Sequence, residues 1–341
     1  MGYNSQNGVT IIRSQPTAGV LADDIATKGV ALRNTSGAMR LNREPLIPDP
    51  EIGGGRDISD ALLGPASCTG EYEAYGRFGS SFATILRAAL GLSVSEADSS
   101  NTGVHHHTIT PSDASSLPLL SIYERISSGL ETATYLDCVV DSVSINVDAS
   151  GFLTVSYSII GKRQQLNVVE IDPTTLYDNT GMTVGTNVVA TMGGVNIKPK
   201  SLTWELSNNI DADDFRLGQF FLEDLTPKRR ESTLTMRLRH EDRLLLRQAN
   251  LGAPTATEVG GLTTKSPLSI EIQSYEEIDG AATPAMHALT LDFPSAMVSP
   301  FALEPSGDDV LENDVEFRTL RPNMAVPLLT AEFTNGVAEL A

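Results

Sequence analysis

Polar and apolar positions alternate at period two through much of the chain, and twice the alternation gives way to a helical period that ends in Leu-Gly. In the run 69–75 polar and larger side chains alternate, which predicts a strand; Phe78, Phe82, Ile85, Leu86 and Ala89 then recur at helical spacing before Leu90 and Gly91. The same order returns in 233–239, a strand pattern, followed by 241–252, a helical one closed by Leu251 and Gly252. Glycine there can take the left-handed conformation that ends a helix, and Glu241 and Asp242 suit the positive N-terminal end of the second helix.

What flanks the two units also repeats. Leu32 to Ser36 and a long loop to Gly64 precede the first; Trp204 to Asn209 and a loop to Lys228 precede the second. Alternating runs at 117–122 and 266–272 follow them. Two related halves are therefore expected. Within the first half, Val139, Val143, Ile145 and Val147 lead into Asp148-Ala149-Ser150-Gly151, and Leu153, Val155, Tyr157 and Ile159 alternate on the way out, the signature of a β-hairpin. The boundaries that result are an N-terminal arm at 1–28, a first module at 29–165, a linker at 166–198, a second module at 199–321 and a C-terminal arm at 322–341. The arm 1–28 is expected to lie on a partner or on the body of its own domain, with a short apolar strand at 9–12.

With 341 residues the chain is long enough for two cores, and an apolar fraction of 40% suits globular domains. Its net charge is −19, which disfavours a conventional nucleic-acid-binding role because that needs a basic patch. Cys68 and Cys138 lack metal-site spacing and read as buried apolar fillers, with a disulfide left open. Residues 1–7 show no secretory signal, and no apolar run reaches the ~18 residues of a membrane span; Arg87 interrupts the best candidate. A soluble chain made in the cytoplasm is the expectation.

Catalytic patterns are sparse. There is no Gly-x-Ser-x-Gly elbow and no His-Glu-x-x-His pair, and His240 and His287 read as structural. Gly53-Gly54-Gly55 lacks the Lys-Ser/Thr and the helix that a phosphate cradle needs. His105, His106 and His107 read as a solvent-exposed loop or edge strand, since neighbours on a strand point to opposite faces and do not converge on one ion. Asp213-Asp214 and Asp308-Asp309 lack calcium-loop spacing and read as solvated turns. Trp204, between Leu202 and Leu206, does not read as a sugar platform. No enzyme, metal or cofactor is expected.

A strand ending near paired asparagines (Ser207-Asn208-Asn209), a long loop, the strand-helix unit 233–252 and the hairpin 138–161, in an acidic and motif-poor chain, resemble the major tail tube proteins of long-tailed bacteriophages. The resemblance runs from about Val30 to Leu320. It implies a mainly β fold of two tandem tail-tube-like β-sandwich or barrel modules, each with a flanking α-helix, that assemble edge to edge into stacked rings. It also implies trimeric rings with pseudo-six-fold symmetry, hexameric rings being the alternative, and tape-measure, tail terminator and tail-tip proteins as partners, with double-stranded DNA passing through without sequence-specific binding. The place would be the phage tail, assembled in the host cytoplasm. Other readings are a tail terminator or minor tail protein, or a non-viral β-sandwich binding module. Contacts between subunits or rings are expected at Ile11, Pro45, Ile47, Pro48, Phe215, Leu217, Phe220 and Met324, in the stretches 1–20, 41–63 and 210–228 and after Pro322. Glu71, Glu73 and Arg237 are the lumen-facing candidates, Glu73 and Arg237 falling at corresponding places when Thr69 is aligned with Thr233.

Overall fold

Strands begin where the alternation begins, because a strand can bury one side of such a pattern and leave the other wet. The computed structural model describes residues 5–49, 51–52, 57–58, 60–127, 131–166, 170–240, 243–261, 263–303 and 311–341. Glu241, Asp242, Gly53 to Gly55, Asp308 and Asp309 lie outside the described residues. The fold is mainly β, built of open antiparallel sheets with few helices, and no closed barrel forms among the described residues.

In the first half, β1 (Val9–Ser14), the short α1 (Ile25–Lys28), β2 (Val30–Leu32), β3 (Asn34–Leu46) and β4 (Leu62–Tyr75) lead to α2 (Ser81–Leu90). A hairpin of β5 (Gly91–Ala97) and β6 (His105–Pro111) follows, then β7 (Leu120–Arg125), the long β8 (Thr132–Asp148), β9 (Thr154–Gly161) and β10 (Arg163–Leu166). The second half holds β11 (Val188–Met192), β12 (Val195–Ile197), β13 (Ser201–Ser207), the small pair β14 (Ile210–Asp211) and β15 (Thr226–Pro227), and β16 (Glu231–Arg239) before α3 (Leu244–Leu251). It closes with β17 (Ser266–Glu277), β18 (Met286–Val298), β19 (Glu312–Thr319) and β20 (Thr330–Asn335).

The strand pairings of the first half recur in the second. β1 pairs with β2 and β7, β7 with β8, β8 with β9, β9 with β4 and β4 with β3. In the same way β11 pairs with β12 and β17, β17 with β18, β18 with β19, β19 with β16 and β16 with β13. Even an irregularity is shared: the β7–β8 register slips between Leu120 and Ile122, and the β17–β18 register slips between Ser266 and Leu268. The helices α2 and α3 each end on a glycine at positive φ, Gly91 (107°) and Gly252 (94°), where a side chain would strain the backbone.

Two ladders join the halves, β6–β20 and β8–β13, and the second extends the outer sheet. The C-terminal part of β8 pairs with β13, from Ser142↔Ser207 to Asp148↔Ser201. The result is a continuous row β3-β4-β9-β8-β13-β16-β19, of which one side carries Met39, Tyr72, Tyr157, Ile145, Trp204, Leu234 and Phe317 into the core. Trp204 is fully buried, and its indole N–H donates to the Ser232 hydroxyl at 3.0 Å. Burying such a face supplies most of the stabilisation, at roughly 25 cal/mol per Å² of apolar surface. Cys68 and Cys138 are free thiols in this core, and burial pushes the Cys68 thiol up to about 12.

Several stretches sit differently from the sequence expectation. The stretch 166–198 contributes β11 and β12, which pair with β17 and with each other. In the arm 1–28, β1 lies between β2 and β7, and Ile11 is fully buried there, so its side chain has no surface to offer another subunit. The C-terminal stretch is docked as well: β20 pairs with β18 and β6, and Leu340 and Ala341 are buried. β3 and β4 extend into the loop expected at 41–63, pairing as far out as Leu46↔Leu62. The three histidines occupy β6, an inner strand paired with both β5 and β20.

Candidate functional site

The outward side of the continuous row follows from the same alternation. Opposite its buried partners, β4 shows Thr69, Glu71 and Glu73; β9 shows Ser156 and Ser158; β8 shows Ser142, Ser144 and Asn146. Across the joint the face continues with Thr203, Glu205 and Ser207 on β13, Thr233, Thr235 and Arg237 on β16, and Asp314, Glu316 and Arg318 on β19. Cross-strand neighbours place these in rows: Glu73 beside Ser156, Ser156 beside Ser144, Ser144 beside Glu205, Glu205 beside Thr233 and Thr233 beside Arg318. Hydroxyls stitch the middle, with Ser142 and Ser158 Oγ atoms 2.7 Å apart. Such a face holds solvent and small polar groups and presents carboxylates without a pocket.

Glu71, Glu73 and Arg237 all lie on this one face, exposed. The rows Met39↔Gly70↔Ile159↔Val140 and Trp204↔Leu234↔Phe317↔Val298 put Glu73 and Arg237 three residues beyond Gly70 and Leu234 in their strands, so they hold corresponding places. Arg237 is turned toward Glu312, Nε 3.5 Å from its carboxylate, and Lys200 also bonds Glu312. The hydrogen bond from Lys200 holds the Glu312 carboxyl below its ordinary pKa.

Of the expected contact residues, Pro45, Ile47 and Pro48 are exposed at the outer end of the β3–β4 hairpin. Phe215, Leu217 and Phe220 are exposed on the loop between β14 and β15, and Met324 is exposed ahead of β20. The same loop is anchored from within: Leu222 and Leu225 are buried against Leu117 and Val139, and the Phe220 carbonyl accepts the Ala66 N–H at 2.7 Å. The exposed apolar side chains of the hairpin, Leu41, Leu46, Ile47, Leu62 and Leu63, form the kind of surface that another protein covers.

The paired asparagines are structural at the joint. Asn208 is buried and donates from Nδ2 to the carbonyls of Ala89 (2.9 Å) and Val140 (3.0 Å), tying the end of β13 to the end of α2 and to β8. Asn209 takes positive φ (49°) to turn the chain into the loop.

Among the buried carboxyls that carry no sequence pattern, Asp178 and Glu124 hold backbone groups of distant elements. Asp178 accepts the N–H groups of Ser80 (2.8 Å) and Ser81 (2.9 Å) at the start of α2, and the Ser81 hydroxyl as well. Glu124, on β7, accepts the Met39 N–H at 3.2 Å, while the Tyr135 hydroxyl donates to the Met39 carbonyl at 3.1 Å. Burial pushes the Glu124 carboxyl up to about 7. Neither had a sequence signal, because Met39 and the start of α2 lie about a hundred residues from them in the chain.

His107 is buried between the Ser95 hydroxyl (2.7 Å) and the Asn335 amide oxygen (3.0 Å), and burial lowers its pKa. His106 instead faces Glu332 (3.2 Å) and Asp98 (3.6 Å). The two point apart, and among the described residues no three His, Cys, Asp or Glu side chains gather to hold a metal ion. His240 stacks on Phe301, with ring centroids 5.3 Å apart.

Open antiparallel sheets, one extended polar face and exposed apolar projections define a mainly β protein whose features are surfaces. The model of the family described as phage tail tube protein matches residues 16–319, and the chain belongs to that family. A comparison with curated proteins finds no match. The family makes the chain a structural component of a phage tail, built to assemble with itself and to meet other tail proteins.

Proposed function

We propose that this chain polymerises as stacked rings into the hollow tube of a long-tailed phage, and that each chain supplies two modules, so that three chains make a ring of six. The observation that supports this most is the continuous row of seven strands, in which β8–β13 already joins two similarly paired halves edge to edge. Repeating that joint around a ring pairs the sheet edges that would otherwise invite aggregation. The polar face with Glu71, Glu73, Glu205 and Glu316 becomes the lumen wall, and the exposed hairpin and the loop at 210–228 reach toward neighbouring rings.

A lumen lined with carboxylates repels DNA phosphates from every side, so the duplex slides without a resting place. The net charge of −19 fits a conduit and not a binder. A tape-measure protein, a tail terminator and tail-tip proteins are the partners of such a tube, which would be assembled in the host cytoplasm. Electron microscopy of the purified chain, with rotational averaging of end-on views, tests the reading. Three chains per hollow ring are expected. Six chains per ring would keep the tube and remove the two-module arrangement; a lasting monomer would favour a minor tail component or a binding module.

A further inference from the structure

We infer that the outer edge of β3 is a docking site for residues 299–303 of a second copy of this chain, in the register that β8 keeps on β13. The inference rests on the ring reading above and names the surfaces and register of its joint.

The template lies within the chain. Trp204 pairs with Ile145 across the internal joint, Leu206 with Val143 and Ser207 with Ser142. At the two ends of that ladder the Ala149 N–H donates to the Lys200 carbonyl (2.9 Å) and the Asn208 N–H to the Asp141 carbonyl (2.7 Å), so the even-numbered residues of β13 turn their backbone groups toward β8. Met39 has the place of Trp204 in its own row, and it too turns its N–H and C=O away from its hairpin partner. Among the described residues no strand meets them. Instead the Glu124 carboxylate takes the N–H and the Tyr135 hydroxyl takes the carbonyl. Along this side of β3 runs an open trough of about 640 Å³, walled by residues 34–38 and by the ends of β1 and β7.

Exposure carries the same message. Leu41 stands two residues after Met39, as Leu206 does after Trp204; Leu206 is 1% exposed beneath β8, and Leu41 is 42% exposed. An edge strand of 13 residues with this apolar position open is a template for another strand.

The occupant follows by counting from the shared rows. Val140 and Val298 hold the same place, so Val143 corresponds to Phe301 and Ile145 to Leu303, while Ser142 and Ser144 correspond to Pro300 and Ala302. The alternation is preserved: large apolar residues fall where the core side is, and small ones on the polar face. Phe301 and Leu303 are half-buried, and Ala302 is exposed. Proline lacks an N–H, but at the place of Ser142 that N–H would face β19, as the paired Ser158 of β9 shows, and not the neighbour. Phe301 would meet Leu41, Leu303 would meet Met39, and Met39 would pass its N–H from Glu124 to the Leu303 carbonyl.

Arg40 would then oppose Ala302 as a non-hydrogen-bonded antiparallel pair, whose Cα separation of about 4.5 Å suits a disulfide. The test is the full chain carrying Arg40→Cys and Ala302→Cys, with Asn42→Cys and Pro300→Cys as a second in-register pair and Ala38→Cys and Pro300→Cys as a pair four positions out of register. Cys68 and Cys138 are buried and stay silent. After mild oxidation of assembled material, non-reducing gels are expected to show chain-to-chain linked species for either in-register pair, at least tenfold above the out-of-register pair. Rings or tubes that form normally while neither in-register pair links would overturn the joint and leave the ring reading standing. A wild-type chain that forms no ring at all would remove both.

Discussion

Met39 and Trp204 occupy matching rows of two similarly paired ladders, yet the Met39 backbone is held by the side chains of Glu124 and Tyr135 where the Trp204 backbone meets a strand. Side chains from β7 and β8 thus satisfy an edge that would otherwise carry unpaired groups. The arrangement places a carboxyl in the core beside Tyr72, whose hydroxyl donates to it at 3.4 Å.

That burial has a pH signature. Burial raises the folded-state pKa of Glu124 from 4.5 to about 7, more than the hydrogen bonds from Met39 and Tyr72 lower it. Folding therefore takes up a proton between about pH 4.5 and 7, and this group's contribution to stability grows as pH falls through that window. Above pH 7 it is a penalty on the order of 3 kcal/mol. Glu124→Gln is expected to raise the melting temperature at pH 8 and to flatten its rise between pH 7 and 5. A variant with the wild-type slope would show that other groups set it. The measurement is thermal unfolding of the unassembled chain at both pH values.

Asp178 works in the opposite sense. Burial acts to raise its pKa, but hydrogen bonds from Thr180 and Ser81 outweigh it and hold the carboxyl below its ordinary value. Its contribution is present above the ordinary carboxylate pKa and is lost as pH falls through the lowered one. Because it satisfies the first N–H groups of α2, Asp178→Ala is expected to cost about 2 kcal/mol, and Asp178→Asn less, since an amide oxygen still accepts. Urea midpoints of the three proteins decide it. Equal midpoints would mean that water takes over the cap.

How much of this was legible in the sequence depends on the range of the interactions. The strand-helix-Gly units, the 138–161 hairpin and the polar side of β4 and β16 were legible because period two and period 3.6 are local. β20 was missed although Ala331 and Phe333 alternate and are buried, because a six-residue pattern after Pro322 and Pro327 reads equally as an arm. The strand at 9–12 was legible, and of the two places offered for the arm, a partner or its own domain, β1 takes the second; Ile11 was offered as a contact because nothing in 9–14 says that β7, over a hundred residues on, covers it. The histidines read as a loop or an edge strand, and not as an inner one, because the neighbour on one side, β20, comes from more than two hundred residues away. Glu124 and Asp178 were invisible since only the folded chain brings Met39 and the start of α2 to them.

The projecting hairpin separates stability from assembly. Residues beyond the Leu46↔Leu62 pair contribute no buried side chain among those described, so replacing 47–61 with a short Gly-Ser turn is expected to shift the unfolding free energy by no more than about 0.5 kcal/mol. The same change is expected to shorten tubes or leave single rings, because Ile47 and Pro48 go with it. Tube lengths in electron micrographs provide the check. Tubes of wild-type length would show that the hairpin does not join rings.

The polar face permits the sharpest test of the conduit. Glu71 and Glu73 are exposed, flanked by Ser158 and Ser156 on β9, and their replacement disturbs no buried contact. The double variant Glu71→Lys and Glu73→Lys is therefore expected to fold and assemble, with stability within about 1 kcal/mol of wild type. If the face lines the lumen, each ring of three chains changes sign at six places, and the field of each new charge decays over a Debye length of about 8 Å at physiological salt. Ejection of DNA should slow, and isolated tubes should retain duplex DNA in a manner that weakens steeply with added salt, as phosphate contacts do. Should ejection rates and DNA retention match wild type in both low and high salt, the face points away from the channel, and the lumen must be sought on another surface.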